Sequence, residues 1–245
     1  MTVTRIVERS TNARDLGWLR AGAHGWVRAG LWYRCAAAGV PGLLAQRRLR
    51  TVIDLRSPQE SLQAPLSAGL DVCSRPIEVS RRALRVTDQP QPAHYLAYYR
   101  QLASIAAEVA AELLGVLAEA DRLPVAVCCT LGKDRTSVVC GLALRALGVR
   151  LRDIAADHHL TSRLLRSSDL LAGTEWAAAL SPQALDRRLA AAPGAMRALI
   201  KEVEAAHGSA ARALMTTSLR QSVLDRARLA VVVNRLDLVP GGGTR

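Results

Sequence analysis

Apolar and polar positions follow two different periods along this chain, and the change from one to the other marks out its elements. In the first half, short apolar runs rich in β-branched and aromatic residues, GLWYRC (30–35) and RTVIDLR (50–56), read as strands, with the helical segment LLAQRRL between them. GLDVCSRPI (69–77) reads as a third strand that ends before or at Pro76, because proline cannot donate to a ladder. The polar stretch VSRRALRVTDQPQPA carries two prolines and several arginines and reads as a surface loop. From His94 to about Ala120 apolar residues recur at helical spacing, predicting one long helix or two joined ones. LPVAVCC (123–129) reads as a strand, and everything beyond the polar loop that follows it reads helical. RDIAADHHLTS, SPQALDRRLAAA, AMRALIKEVEAAHG and LRQSVLDRARLAVVV are each amphipathic, several opened by Ser or Pro and closed by Gly. Strands alternating with helices and then a helical run imply an α/β sheet with a helical layer added to it.

Composition narrows this picture. With 245 residues, half of them hydrophobic, the chain suits a single domain over residues 1–239, and only the PGGGTR end (240–245) reads as a flexible tail. Five scattered cysteines, two of them adjacent, give neither a disulfide framework nor a zinc-ligand spacing, which points to a reducing compartment. The N-terminus has no apolar leader and no window approaches a membrane span, so a cytoplasmic location is expected. The net charge of +12 favours anionic ligands. Nucleic acid is a poor fit among them, because the arginines are spread along the chain and aromatics make up only 3%. Lys133 and Lys201 are the only lysines.

Lys133 lies in the stretch that carries chemistry, PVAVCCTLGKDRTSVVCGLALRALG (124–148). An apolar strand there ends in Cys128–Cys129, runs through a polar loop and opens an apolar helix. A helix N-terminus presents unpaired backbone N–H groups and the positive end of its dipole, so the loop suits an anion such as phosphate. Cys129 and Arg135 stand at the two ends of the loop with five residues between them, a spacing that lets successive amides and a planar guanidinium surround one phosphoryl group. A cysteine in that field holds its proton weakly, and a thiolate in a phosphate cradle is a phosphatase nucleophile.

These residues resemble a known family. CTLGKDRT (129–136) is similar to the Cys-x5-Arg signature of protein tyrosine phosphatases, in the form found in the bacterial group that includes the secreted tyrosine phosphatase B of mycobacteria. NARDLG, LWYRC, VIDLRSPQE, HYLAYYRQL, IAADHHLTS and AHGSAARAL resemble further elements of that family, in its order, from about Asn12 to Val232. The resemblance implies a tyrosine-phosphatase-like fold, with a small, mostly parallel central sheet flanked by helices and extra C-terminal helices that could form a lid. It implies a phosphomonoesterase needing no metal or other cofactor, with a phosphorylated protein, lipid or small molecule as substrate. Cys129 is then the nucleophile, Arg135 the phosphate-binding fork and Asp134 the general acid. Thr130, Leu131, Gly132 and Lys133 line the cradle, Lys133 as a second cation at its rim, and Thr136 hydrogen-bonds the sulfur. Asp54, at a strand end, is a further candidate substrate contact, with an ion-pair network of Asp54, Arg56 and Glu60 as the alternative.

The chain departs from the pattern at several points. Cys128 stands where the family has His, Ser137 where it has Gly, Ala13 where it has Phe, and His158 where it has Tyr. Two readings stay open: an active enzyme, or a phosphate-binding protein in which the change at Cys128 has impaired turnover. Asp88, in the proline-flanked loop, rivals Asp134 as general acid. Cys128 itself reads as a small core hydrophobe, and consecutive His158 and His159 point too far apart on a helix to share an ion.

Overall fold

Alternate residues of the run Val125–Cys129 enter different cores. Val125, Val127 and Cys129 belong to a large apolar cluster, and Ala126 and Cys128 to a smaller one on the opposite face, as the twofold pleat of a strand requires. The computed structural model describes residues 5–23, 25–66, 69–80, 92–166, 170 and 180–234. Its strands are β1 (Arg5–Glu8), β2 (Ala13–Asp15), β3 (Arg20–Ala21), β4 (Gly25–Val27), β5 (Trp32–Ala36), β6 (Thr51–Asp54), β7 (Asp71–Ser74), β8 (Val125–Cys129) and β9 (Val232–Asn234). The larger sheet has the order β1-β2-β5-β8-β6-β7, which puts β8 in its middle. β5, β8, β6 and β7 are parallel, and β2 and β1 extend the β5 side antiparallel, so the sheet is mixed. β3, β4 and β9 form a second, antiparallel sheet.

The helices are α1 (Val40–Arg47), α2 (Pro58–Gln63), α3 (Pro92–Leu117), α4 (Asp134–Ala146), α5 (Leu151–Arg166), α6 (Pro182–Leu189), α7 (Pro193–His207), α8 (Ala210–Met215) and α9 (Gln221–Val231). Val40 and Leu43 of α1 cover the small core with Tyr33, Val52 and Ala126. The long helix α3 packs on α4, α7 and α9 and supplies a large share of the large core, from Tyr95 and Tyr98 to Leu117. Ala106, Ala110 and Ala111 of α3 are buried in that core. No helix among the described residues is long and apolar enough to cross a membrane.

The alternation of strand and helix expected from the sequence is present, and residues 94–117 lie in one helix rather than two. The short strands β1 to β4 were not legible, because two to four residues are too few to show a period. The C-terminal end corrects the all-helical expectation: Val231 closes α9 and Val232–Asn234 pairs with β4, Val232 opposite Val27 and Val233 opposite Trp26. The β-branched Val232 and Val233 lose little by leaving a helix, and the edge of β4 gives their backbone a ladder. The polar stretch holding Asp88 lies outside the described residues over 81–91.

Candidate active site

The loop between β8 and α4 is held from behind. Gly132 takes a left-handed conformation (φ 61°), and a Cβ there would stand 2.4 Å from the carbonyl carbon and oxygen of Cys35, so only glycine fits. Asn12, itself left-handed (φ 56°), donates from Nδ2 to Leu131 O at 2.9 Å and Gly132 O at 3.1 Å. Arg34 Nη2 donates to the same Gly132 oxygen at 2.8 Å. With the Gly132 carbonyl drawn to the rear, the trans peptide it belongs to turns the Lys133 N–H the other way, toward the mouth, where the first amides of α4 also point. The Gly132 amide instead closes a turn on Cys129 O at 3.3 Å.

A buried charge cluster braces those anchors. Arg14 Nε and Arg34 Nη1 each lie 2.6 Å from a different oxygen of Asp157. Arg14 also donates to Asn12 Oδ1 at 2.5 Å, fixing the amide that holds the loop. Burial raises the Asp157 carboxyl, but the two guanidinium groups outweigh it and bring its pKa down to about 2. Two cations against one anion leave the cluster positive directly behind the phosphate-shaped loop.

Cys129 faces the helical layer at the start of the loop and is 3% exposed. Burial pushes its thiol up, yet the Arg135 charge and the Thr136 side chain and amide pull it below the ordinary thiol value. The Thr136 hydroxyl is fully buried and closes no full hydrogen bond, so its help to the sulfur comes from proximity. Arg135 directs its four terminal hydrogens at protein oxygens. Nη1 donates to Leu55 O at 3.1 Å and Glu60 Oε2 at 2.7 Å, and Nη2 to Glu60 Oε1 at 2.8 Å and Thr130 Oγ1 at 3.0 Å. Thr130 Oγ1 also donates to Glu60 Oε1. Glu60 in turn belongs to the capping box of α2, accepting from Ser57 N at 2.8 Å, so the helix terminus sets where the guanidinium lies.

Asp134 is the first residue of α4, where the helix dipole favours an acid. Its Oδ1 accepts from the Tyr99 hydroxyl at 2.8 Å and lies 3.6 Å from Lys133 Nζ. Tyr99 Oη is 3.1 Å from His158 Nε2, and His158 Nδ1 is 2.8 Å from Ser137 Oγ. Lys133 does not stand at an exposed rim as expected. It is 4% exposed, with its ammonium 5.0 Å over the Tyr95 ring of α3. Tyr95 Oη reaches the Arg187 carbonyl of α6 at 3.4 Å, and Leu131 packs with Leu165, Leu185 and Leu189.

Thus Cys129, Thr130, Leu131, Gly132, Lys133, Asp134, Arg135 and Thr136 come together around one loop, while Asp54 does not join them. It stands on the sheet face of Cys128, with its Oδ1 3.8 Å from Cys128 Sγ, and its Oδ2 pairs with Arg56 Nη2 at 2.8 Å. The period of β6 explains the difference, since Ile53 takes the face shared with Cys129. The alternative ion-pair reading holds for Asp54 and Arg56, whereas Glu60 goes to Arg135. Cys128 is wholly buried in the small core, and its thiol is held well above the ordinary value by desolvation. Glu60, Tyr99 and His158 were not singled out for these contacts from the sequence. The capping signature Ser57-x-x-Glu60 was a readable sign for the first, but spacing alone could not show which of three tyrosines meets the loop.

Among solved structures, the chain is similar to TpbA of P. aeruginosa at 19% identity, covering 81% of this chain and 96% of that one, with a TM-score of 0.35. A Cys-to-Ser variant of TpbA in complex with phosphotyrosine is similar at 19% identity over 69% of this chain and 91% of that one, with a TM-score of 0.36. No curated protein matches the chain. The family model described as the tyrosine phosphatase family matches residues 6–231, from β1 to the end of α9, and on that match the chain belongs to this family of cysteine-dependent phosphatases.

Proposed function

We propose that the chain hydrolyses phosphomonoesters without a metal, through a phosphocysteine on Cys129, in the manner of the bacterial phosphatases whose signature contains Gly-Lys-Asp-Arg-Thr. The observation that supports this most is a thiol lowered despite full burial, at the bottom of a loop whose carbonyls Asn12 and Arg34 hold away from it.

In the first step the Cys129 sulfur attacks phosphorus as the bond to the leaving oxygen breaks, and Asp134 gives that oxygen its proton. In the second, water attacks phosphorus, Asp134 takes a proton from it, and the S–P bond breaks to regenerate the thiolate. Arg135 binds two phosphoryl oxygens, one of which takes the place of Thr130 Oγ1 on Nη2. The loop amides and the start of α4 hold the charge that develops in both transition states. Thr136 steadies the departing sulfur. Asp54 orients Arg56 at the back of the sheet and makes no contact with substrate. With Lys133 folded under Tyr95, the cradle in this conformation reads one phosphoryl group, which suits an aryl phosphate such as phosphotyrosine better than a multiply phosphorylated headgroup.

The test is phosphate release from 4-nitrophenyl phosphate in the presence of a chelator, for the native protein beside Cys129→Ser and Asp134→Asn. Turnover that survives the chelator and is lost in Cys129→Ser supports the proposal. Absence of turnover in the native protein, with orthovanadate still bound, would replace it with a phosphate-binding role.

A further inference from the structure

Asp134 is the end of a line of hydrogen bonds that runs from the buried charge cluster to the mouth of the loop. Arg34 Nη2 donates to Ser137 Oγ, Ser137 Oγ meets His158 Nδ1 at 2.8 Å, His158 Nε2 meets Tyr99 Oη at 3.1 Å, and Tyr99 Oη donates to Asp134 Oδ1 at 2.8 Å. Tyr99, His158 and Ser137 are all at most 2% exposed, so no bulk water interrupts the line. The donors assign themselves from its two ends. Arg34 can only donate, so Ser137 Oγ accepts from it and passes its own proton to His158 Nδ1. That leaves the imidazole proton on Nε2, donated to Tyr99 Oη, whose proton goes to Asp134. The histidine and phenol rings meet edge to face, 5.8 Å apart at 76°. Burial holds His158 neutral and the Tyr99 phenol un-ionised, so neither link breaks near neutral pH.

We propose that Tyr99 and His158 are positioning residues for Asp134, fixing which carboxyl oxygen carries the transferable proton. The proposal rests on the reading of Asp134 as the general acid. Oδ1 receives the Tyr99 proton and lies 3.6 Å from the Lys133 ammonium, so it is the oxygen stabilised as an acceptor. A proton on the carboxyl is thereby directed to Oδ2, and it is this proton that passes to the leaving oxygen and is restored by the attacking water. When Asp134 is ionised, the same Tyr99 hydrogen bond steadies the carboxylate. The line thus serves both protonation states without any of its members changing charge. His158 is the member that makes it continuous, because a neutral imidazole accepts on one nitrogen and donates on the other, joining two hydroxyl groups that point the same way.

The test compares phenyl phosphate, whose leaving oxygen needs a proton, with 4-nitrophenyl phosphate, whose leaving oxygen needs it far less. Tyr99→Phe removes one oxygen and keeps the ring against Tyr95 and Tyr98, at 6.1 and 6.0 Å. This variant is expected to lose about tenfold in kcat on phenyl phosphate, much less on 4-nitrophenyl phosphate, with KM little changed and the protein still folded at a somewhat lower thermal midpoint. Added to Asp134→Asn, it should cost nothing further. His158→Phe should show the same dependence on leaving group, and His158→Gln, which keeps a donor and an acceptor, should recover part of the loss. Equal losses on the two substrates, or losses that multiply with Asp134→Asn, would overturn the proposal and leave a packing role. If Asp134→Asn discriminates between leaving groups and Tyr99→Phe does not, only the positioning role falls. If Asp134→Asn itself does not discriminate, the acid and its positioning residues fall together.

Discussion

Glu60 and Arg135 face each other fork to fork, with carboxylate oxygens 2.7 and 2.8 Å from the two terminal guanidinium nitrogens. Desolvation works against a charge on Glu60, yet Arg135, Thr130 and the Ser57 amide bring its carboxyl far below the usual range. The pair fixes the plane in which Arg135 meets a phosphoryl group. In the other direction, the Glu60 charge and the Cys129 thiolate outweigh burial and keep Arg135 charged.

Glu60→Gln should therefore lower kcat by about tenfold, because a loosened guanidinium no longer meets the transition state in a fixed orientation. Inhibition by orthovanadate should change less, since the lost orientation is offset by removing a negative charge beside the anion. An unchanged kcat in steady-state assays would show that Leu55 O and the helix position Arg135 without Glu60.

Gly132 leaves no room for error. Gly132→Ala places a methyl group 2.4 Å from the backbone of Cys35 and forces an L-residue to φ 61°. Backbone on β5 cannot yield as a side-chain tip would, so the variant should lose about 3 kcal/mol or more of stability in urea unfolding, along with its oxyanion site. Native-like unfolding with native activity would mean that the loop can be rebuilt around the methyl group.

The pH dependence of stability isolates His158. Burial lowers its pKa from 6.5 to about 3, with the Arg34 charge adding to the effect. The folded state keeps the imidazole neutral while the unfolded chain takes up a proton below pH 6.5, so this contribution is fully present above 6.5 and is lost as pH falls toward 3. Unfolding free energies from urea titrations between pH 6.5 and 5.5 should fall with pH, the slope rising toward about 1.4 kcal/mol per pH unit. Asp157, at about 2, and Glu60, held far below the usual range, add their own losses only in the carboxylate range below that window. His158→Gln should flatten the slope there, and a slope unaltered by the substitution would place the titrating group elsewhere.

The loop was legible because its chemistry is written in consecutive residues: Cys129, Gly132, Asp134 and Arg135 are spaced by a strand, a tight turn and a helix start, each with its own local sign. The strand-and-helix order of the first half was legible for the same reason. What holds the loop was not. Asn12 lies 119 residues from the carbonyl it binds, and Arg34 meets Asp157 across 123 residues. Buried arginines at such separations look like surface charge in a chain already rich in arginine. Asp54 shows the converse, since a correct strand carried it to the correct end of the sheet but to the other face, where one residue of register decides. His158 differed visibly from the family pattern, but only Tyr99 on α3 and Ser137 on α4 give that difference a meaning.

In the proposed mechanism phosphorus passes through the Cys129 sulfur. Acid-quenched samples taken during turnover of an aryl phosphate, followed by intact-protein and peptide mass spectrometry, test it directly. The account predicts one phosphoryl group on the peptide containing Cys129, sensitive to the water step and absent in Cys129→Ser, which also loses turnover. Sustained turnover by Cys129→Ser, or phosphate carried on a different residue, would contradict it.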